Sequence, residues 1–271
     1  EKEANIVERP IGVIDSGVGG LTVAQELMRQ LPNEQLIYFG DTLRCPYGSR
    51  TKDEIIQFTW EMVHFLFEKN IKMLVIACNT ATAYTLKSLQ QQLPIPVIGV
   101  IKPGARAAIK ATKNNVVGVI GTEATVSSKA YETALKQIKP EITVQSLACP
   151  LFVPMVEKGI LSGEEAERVV KHSLKSLIKD NRMDTLVLGC THYPLLKETI
   201  QSVIGDDLTI ISSSDETARE TSAILEVHNL LATKPRQNDH IFYTTGELEI
   251  FRHIAKVIFN NTPKHIKKVK L

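Results

Sequence analysis

The chain of 271 residues is 43% hydrophobic and 23% charged, the proportions of an ordinary globular protein rather than a disordered or fibrous one. Its 32 Lys plus Arg stand against 30 Asp plus Glu, a formal charge of +2. That balance provides no field for gripping a polyanion and speaks against a nucleic-acid partner.

The first residues, Glu1 to Asn5, are polar and acidic where a secretory signal starts basic, and no apolar run approaches the length of a membrane span. The expectation is a cytoplasmic chain without membrane association. Short β-branched runs then alternate with longer helical patterns. Strands are predicted at residues 11–15, 36–39, 72–77, 97–100, 116–120, 143–147, 185–189 and 208–211. Between them, stretches such as 53–68 and 164–179 repeat apolar residues three and four apart, as surface helices packed on a sheet do. This order is the signature of βαβ units and a parallel sheet, so the fold class is α/β. From Glu216 onward the pattern gives a helix, a strand at 240–245, another helix and a short extended piece. The basic cluster from His265 to Lys270 reads as a solvated end with no assigned function.

The chain also echoes itself. Gly12-Val13-Ile14-Asp15-Ser16 resembles Gly118-Val119-Ile120-Gly121-Thr122 at an offset of 106 residues, and Leu74 to Thr80 resembles Leu186 to His192 at an offset of 112. Two echoes in the same order predict two similar lobes, each a mostly parallel sheet flanked by helices, with the active site in the cleft between them. The first lobe would end near Lys102-Pro103-Gly104, where proline and glycine break the pattern, and the second near Ser212 to Asp215. Residues 1–102 plus 215–271 would then form the first lobe and 103–214 the second.

Within the echo stand Cys78 and Cys190, each where an apolar strand hands over to a polar segment, the place where open α/β sheets bind ligands. Helix N-termini at those points would stabilise thiolates and bring both groups toward neutral pKa values. One such cysteine is more simply a buried space-filler; two in equivalent positions point to chemistry. Thiols on either side of a small ligand are the geometry of a racemase or epimerase. A redox pair is the competing use, but it normally has CxxC spacing. The four cysteines contain no CxxC, which argues against a disulfide framework or a zinc knuckle and for free thiols. Cys149 reads as core or loop filler, and Cys45 as a loop residue near the site.

Other candidates share that rim. The glycine-rich turn Asp15 to Thr22 offers backbone N–H groups for an anion, but lacks a P-loop ending and the third glycine of a dinucleotide fingerprint. Asp15 and Asp41 end predicted strands, where they either cap helices or face the ligand. His192 has a pKa suited to proton traffic, and Tyr47-Gly48 is either turn chemistry or a reach over the cleft.

At these residues the sequence resembles the glutamate racemase family, within the wider aspartate/glutamate racemase group. The motifs are Ile14 to Leu21, Asp41-Thr42 with Pro46-Tyr47-Gly48, Ala77-Cys78-Asn79-Thr80-Ala81, and Gly189-Cys190-Thr191-His192-Tyr193-Pro194. The resemblance implies L- and D-glutamate as substrates, no pyridoxal phosphate or metal, a homodimer, and supply of D-glutamate for bacterial peptidoglycan. It implies that Cys78 and Cys190 are the two bases, Asp15 assisting the first and His192 the second. By the same likeness Asp15-Ser16, Tyr47-Gly48, Asn79-Thr80 and Thr191-His192 hold substrate. Asp41 and Glu157 would be further polar site residues, and Thr122 an extra contact. Two alternatives stay open: an aspartate or related amino-acid racemase, and a small-ligand binding protein without catalysis.

Overall fold

The computed structural model describes residues 6–271; the polar segment Glu1 to Asn5 lies outside the described residues. The first sheet collects β1 (Ile11–Asp15), β2 (Leu36–Gly40), β3 (Met73–Ile76) and β4 (Val97–Gly99), and adds β9 (Ile241–Thr244) and β10 (Ile266–Lys268) from the end of the chain. Its order is β10-β9-β2-β1-β3-β4. The second sheet holds β5 (Val116–Gly121), β6 (Thr143–Ala148), β7 (Thr185–Gly189) and β8 (Thr209–Ile211), in the order β6-β5-β7-β8. Every pairing in both is parallel.

The echo seen in the sequence is therefore topological. β2-β1-β3-β4 repeats as β6-β5-β7-β8, and the register repeats with it: Gly12 lies opposite Leu74 in the first sheet, and Gly118 opposite Leu186 in the second. These are the residues that matched in the self-comparison.

Helices cover both faces of the sheets, which is why the central strands read as nearly unbroken apolar runs. Ile11 and Val13 pack in one core with Leu21, Ala24 and Leu27 of α1 (Leu21–Gln30), while Ile14 faces the opposite core with Ile55, Met62 and Leu66 of α2 (Lys52–Phe67). In the second sheet, Leu186 and Leu188 meet Val170 and Leu174 of α8 (Glu164–Asp180). Val117, Val119 and Val187 meet Ala105 and Ala108 of α4 (Ile101–Ala111) on the other side. Each such fully buried aliphatic side chain contributes roughly 1.5–3 kcal/mol. Local signals set the helix ends. Thr51 and Glu54 form a capping box at the start of α2, and α8 carries Glu164, Glu165 and Glu167 in its first turn, where the dipole favours anions.

Two expectations are corrected. Pro103-Gly104 does not break the chain; both lie inside α4, whose N-cap is Val100. A proline at the third helical position loses no hydrogen bond, because the N–H groups of the first turn have no intrahelical acceptor. The bare α-carbon of Gly104 lets the Tyr131 ring and Ser213 come close. The basic end is not simply solvated either. Ile266–Lys268 is paired to β9 as the edge strand, its lysine side chains still in water.

Candidate active site

Both sheets present their carboxyl ends to one cleft. β3 delivers Cys78, which becomes the N-cap of α3 (Asn79–Gln92): its Sγ accepts the Ala81 N–H at 3.3 Å and donates to Ser16 Oγ at 3.6 Å. β7 delivers Cys190, but the segment that follows differs. Instead of an α-helix, Tyr193–Leu196 forms a short 3-10 turn containing Pro194, and the Cys190 Sγ stands 3.8 Å from His192 Nδ1. The echo is thus faithful in the strands and lost just beyond them.

The thiols border a common cavity with Ser16, Tyr47, Gly48, Asn79, Thr80, Thr122, Thr191 and His192, joined by Pro46 and Val153. Its free volume is about 10 Å3, room for about one water. An amino-acid-sized ligand does not fit this space as it stands. A hollow of about 570 Å3 lies elsewhere, at the amino ends of β9 and β10 around Phe242 and Phe259. It contains no cysteine and sits at the wrong end of a parallel sheet for chemistry.

Three candidates stand behind the cavity wall. Asp15 is fully buried, and its carboxylate accepts the N–H groups of Gly17 and Gly20 at 3.1 and 2.8 Å and the Thr191 hydroxyl at 3.1 Å. The glycine-rich turn therefore spends these donors on its own aspartate, and Val18 N–H points to Glu157 at 3.4 Å. This corrects the expectation that these amides cradle a ligand anion. Asp41 accepts from Tyr47 Oη at 2.5 Å, Arg44 Nε at 2.7 Å and Thr245 Oγ1 at 2.8 Å, so it holds Tyr47 rather than lining the cleft. Glu157 meets His192 Nε2 at 2.5 Å.

Electrostatics differ from the simple helix-terminus picture. Burial pushes the Cys78 thiol up to about 12, with the Asp15 charge adding to it, against the pull of the Ala81 N–H and the Ser16 hydroxyl. Desolvation outweighs the helix end, so the expected near-neutral thiolate is not found at this residue. Burial likewise holds Asp15 above the usual carboxylate value despite the His192 charge and its three donors. For His192, burial opposes the charge, yet the contacts with Cys190, Cys45 and Glu157 raise it well above the ordinary imidazole value. Glu157 is partly buried, which opposes its charge, but it ends below its usual value, chiefly through His192. The pair is an imidazolium and a carboxylate, and His192 faces Cys190 as a charged donor rather than as a group near neutrality.

Other contacts escaped the sequence. Tyr131, from α6 (Ala130–Ile138), donates to Asn79 Oδ1 across the cleft, which leaves the Asn79 amide N–H groups for the cavity. Thr80 Oγ1 lies 2.7 Å from Thr122 Oγ1 and 3.0 Å from Thr125 Oγ1, a three-hydroxyl cluster between the lobes. A lone tyrosine or threonine on a second-lobe helix carries no motif to mark it. Gly48 is required by closeness: a Cβ there would lie 2.1 Å from the Thr122 Cβ.

A family model described as Asp/Glu/Hydantoin racemase matches residues 11–221. The glutamate racemase of Oceanobacillus iheyensis is 66% identical over 256 residues, covering 94% of this chain and 93% of that protein. The chain belongs to the glutamate racemases of this family. It is accordingly an isomerase. The crystal structure of a glutamate racemase isoform from Bacillus anthracis superposes with a TM-score of 0.92 at 49% identity, covering 97% of this chain and 98% of that one. That of the Francisella tularensis glutamate racemase, solved in complex with D-glutamate, gives 0.90 at 38% identity, covering 97% and 98%. The two parallel sheets and their facing ends are thus the racemase architecture, and no helix among the described residues is long and apolar enough to cross a membrane.

Proposed function

We propose that this chain interconverts L- and D-glutamate without a cofactor by a two-base mechanism, with Cys78 and Cys190 as the bases. One observation carries the reading: two thiols reach one closed cavity from equivalent strand ends of two topologically repeated sheets. One sulfur, as thiolate, takes the α-proton and becomes a thiol. The electron pair left on the α-carbon spreads into the carboxylate, and the opposite sulfur, as thiol, returns a proton to the other face. The ionised and protonated sulfurs have then exchanged roles, ready for the reverse direction.

The remaining groups fit this chemistry. Ser16, Asn79, Thr80 and Thr191 offer hydroxyl and amide donors to the two carboxylates, and such donors stabilise charge where it develops. Asp15 acts on Cys78 from behind Ser16. The His192 cation, held by Glu157, stabilises a thiolate at Cys190. The high value at Cys78 belongs to a cavity without a cation beside that sulfur, and the α-ammonium of glutamate would bring one, favouring the ionised form. Closure of the lobes over bound glutamate removes water from the carbanionic transition state.

In the same reading the lobes are residues 1–102 plus 215–271 and 103–214, a division supported by the return of β9 and β10 to the first sheet. The chain works in the cytoplasm as a homodimer and supplies D-glutamate for peptidoglycan. The test is incubation of the pure protein, without added cofactor, with L-glutamate in deuterated water. Optical rotation and α-deuterium should change together in wild type, and both should be lost in Cys78→Ala and in Cys190→Ala. Retention of wild-type racemisation in either variant would overturn the two-thiol assignment. Turnover of aspartate instead of glutamate would move the substrate to the shorter amino acid.

A further inference from the structure

Cys45 has no part in the two-base chemistry, yet its thiol points at the carboxylate that holds His192. It comes from the loop after β2, on the first lobe, and its Sγ lies 3.6 Å from Glu157 Oε1, on the second. His192 Nε2 reaches the same oxygen at 2.5 Å. The three ligand atoms, one sulfur, one imidazole nitrogen and one carboxylate oxygen, all lie within 4.8 Å of one another. The set joins a soft thiolate and an intermediate imidazole to a hard carboxylate, and the first two favour Zn2+ over Mg2+ or Ca2+.

We propose that Cys45, Glu157 and His192 form an inhibitory Zn2+ site that fastens the two lobes together. Bonds of about 2.3 Å to sulfur and about 2.1 Å to oxygen in a tetrahedron place those two ligands about 3.6 Å apart, the separation already present between Cys45 and Glu157. Nitrogen and oxygen ligands of the same ion sit about 3.4 Å apart, so the His192 ring and the carboxylate must part by a little under an ångström. That is the change expected when a metal ion replaces the proton between two hydrogen-bonded groups. Binding releases two protons, one from the Cys45 thiol and one from the His192–Glu157 pair, and leaves a fourth position for water. The other imidazole nitrogen keeps its direction toward Cys190, and the Val18 N–H steadies the carboxylate.

The consequence follows from the cavity. With its free volume near 10 Å3, a strap from the first lobe to the second keeps substrate out. Zn2+ should therefore inhibit competitively with glutamate, and a chelator should reverse it. Only this inhibitory consequence rests on the proposed racemisation; metal binding is read independently.

The experiment is titration of the full chain with Co2+, as a spectroscopic stand-in, and with Zn2+, in wild type, Cys45→Ala and Cys45→Ser. Wild type should bind one ion with a thiolate-to-cobalt charge-transfer band that Zn2+ abolishes. Both variants should lose the band, keep their basal racemisation, and need more than about tenfold more Zn2+ for inhibition, since loss of even an outer-shell partner costs about 10–100-fold in metal affinity. A band and a Zn2+ sensitivity unchanged in both variants would place the metal elsewhere, on the reacting thiols for instance, and overturn the proposal. So would the absence of a band in wild type, or inhibition that glutamate does not relieve.

Discussion

Cys78 shows how a residue's environment reverses an expectation drawn from its position. Its sulfur does cap α3, as a strand-end cysteine should, yet the thiol rises to about 12 because burial dominates. The sign of the linked stability follows. The folded value lies above the roughly 8.5 of an exposed thiol, so the protonated form is favoured by folding. The corresponding stability is complete below about pH 8.5 and is lost as pH climbs toward the folded value. Wild type should therefore lose up to about 1.4 kcal/mol per pH unit more than Cys78→Ser between roughly pH 9 and 10, measured from urea midpoints. Parallel alkaline slopes for the two proteins would show that Cys78 ionises in the native state as freely as in the unfolded one. At this same scale the site was partly legible. Cys190, Thr191 and His192 announced themselves by type and order, whereas the coupling of His192 to Glu157 joins residues 35 apart through a contact that no local spacing encodes.

At the scale of elements, the strands were readable because both faces of each sheet are covered, so apolar runs and strand limits nearly coincide. Helix α4 was misread at its start, where Pro103 occupies the one part of a helix that tolerates it. The loop between β2 and α2 meets the second lobe beside Tyr84 of α3. Its Gly48 O accepts the Ala124 N–H at 3.1 Å, and Tyr84 Oη donates to Ala124 O at 3.0 Å. With only 2.1 Å between a Gly48 Cβ and the Thr122 Cβ, Gly48→Ala must hold the loop off the second lobe. We expect the variant to fold with a melting temperature near that of wild type but to lose at least about tenfold in kcat/KM, about 1.4 kcal/mol of transition-state stabilisation. Steady-state kinetics beside a thermal melt checks this, and an unimpaired kcat/KM would show that the close approach is not needed for turnover.

At the scale of the whole chain, the return of its last segment to the first lobe is secured by a buried ion pair absent from any motif. Lys72 Nζ, at the foot of β3, lies 2.6 Å from Glu34 Oε2, with both side chains almost wholly buried. The same ammonium donates to Val7 O at 2.5 Å and Leu230 O at 2.7 Å, while Glu34 Oε1 accepts the Ala232 N–H at 2.7 Å. The clip thus fastens the chain that returns after α10 (Ser214–Val227) to the first sheet. Removing one partner strands a buried charge, so Lys72→Met should cost roughly 3–5 kcal/mol, and the double variant Lys72→Met/Glu34→Leu should recover much of it. Chemical denaturation of the three proteins measures this; a single variant within about 1 kcal/mol of wild type would mean that water reaches Glu34 and screens it.

By itself the sequence determined the α/β class, the repeated lobes and the pairing of Cys78 with Cys190, because each is written in local periodicity or in residues adjacent along the chain. The tertiary structure decided what depends on desolvation and on contacts between distant segments. Asp15 turned out to satisfy its own glycine turn, Asp41 to hold Tyr47, and Tyr131 to orient Asn79 across the cleft. Cys45, Glu157 and His192 became one cluster only when the lobes met. Periodicity reports which face of an element is buried, but charge state and hydrogen-bond partner depend on everything packed around a group, and those neighbours come from all along the chain.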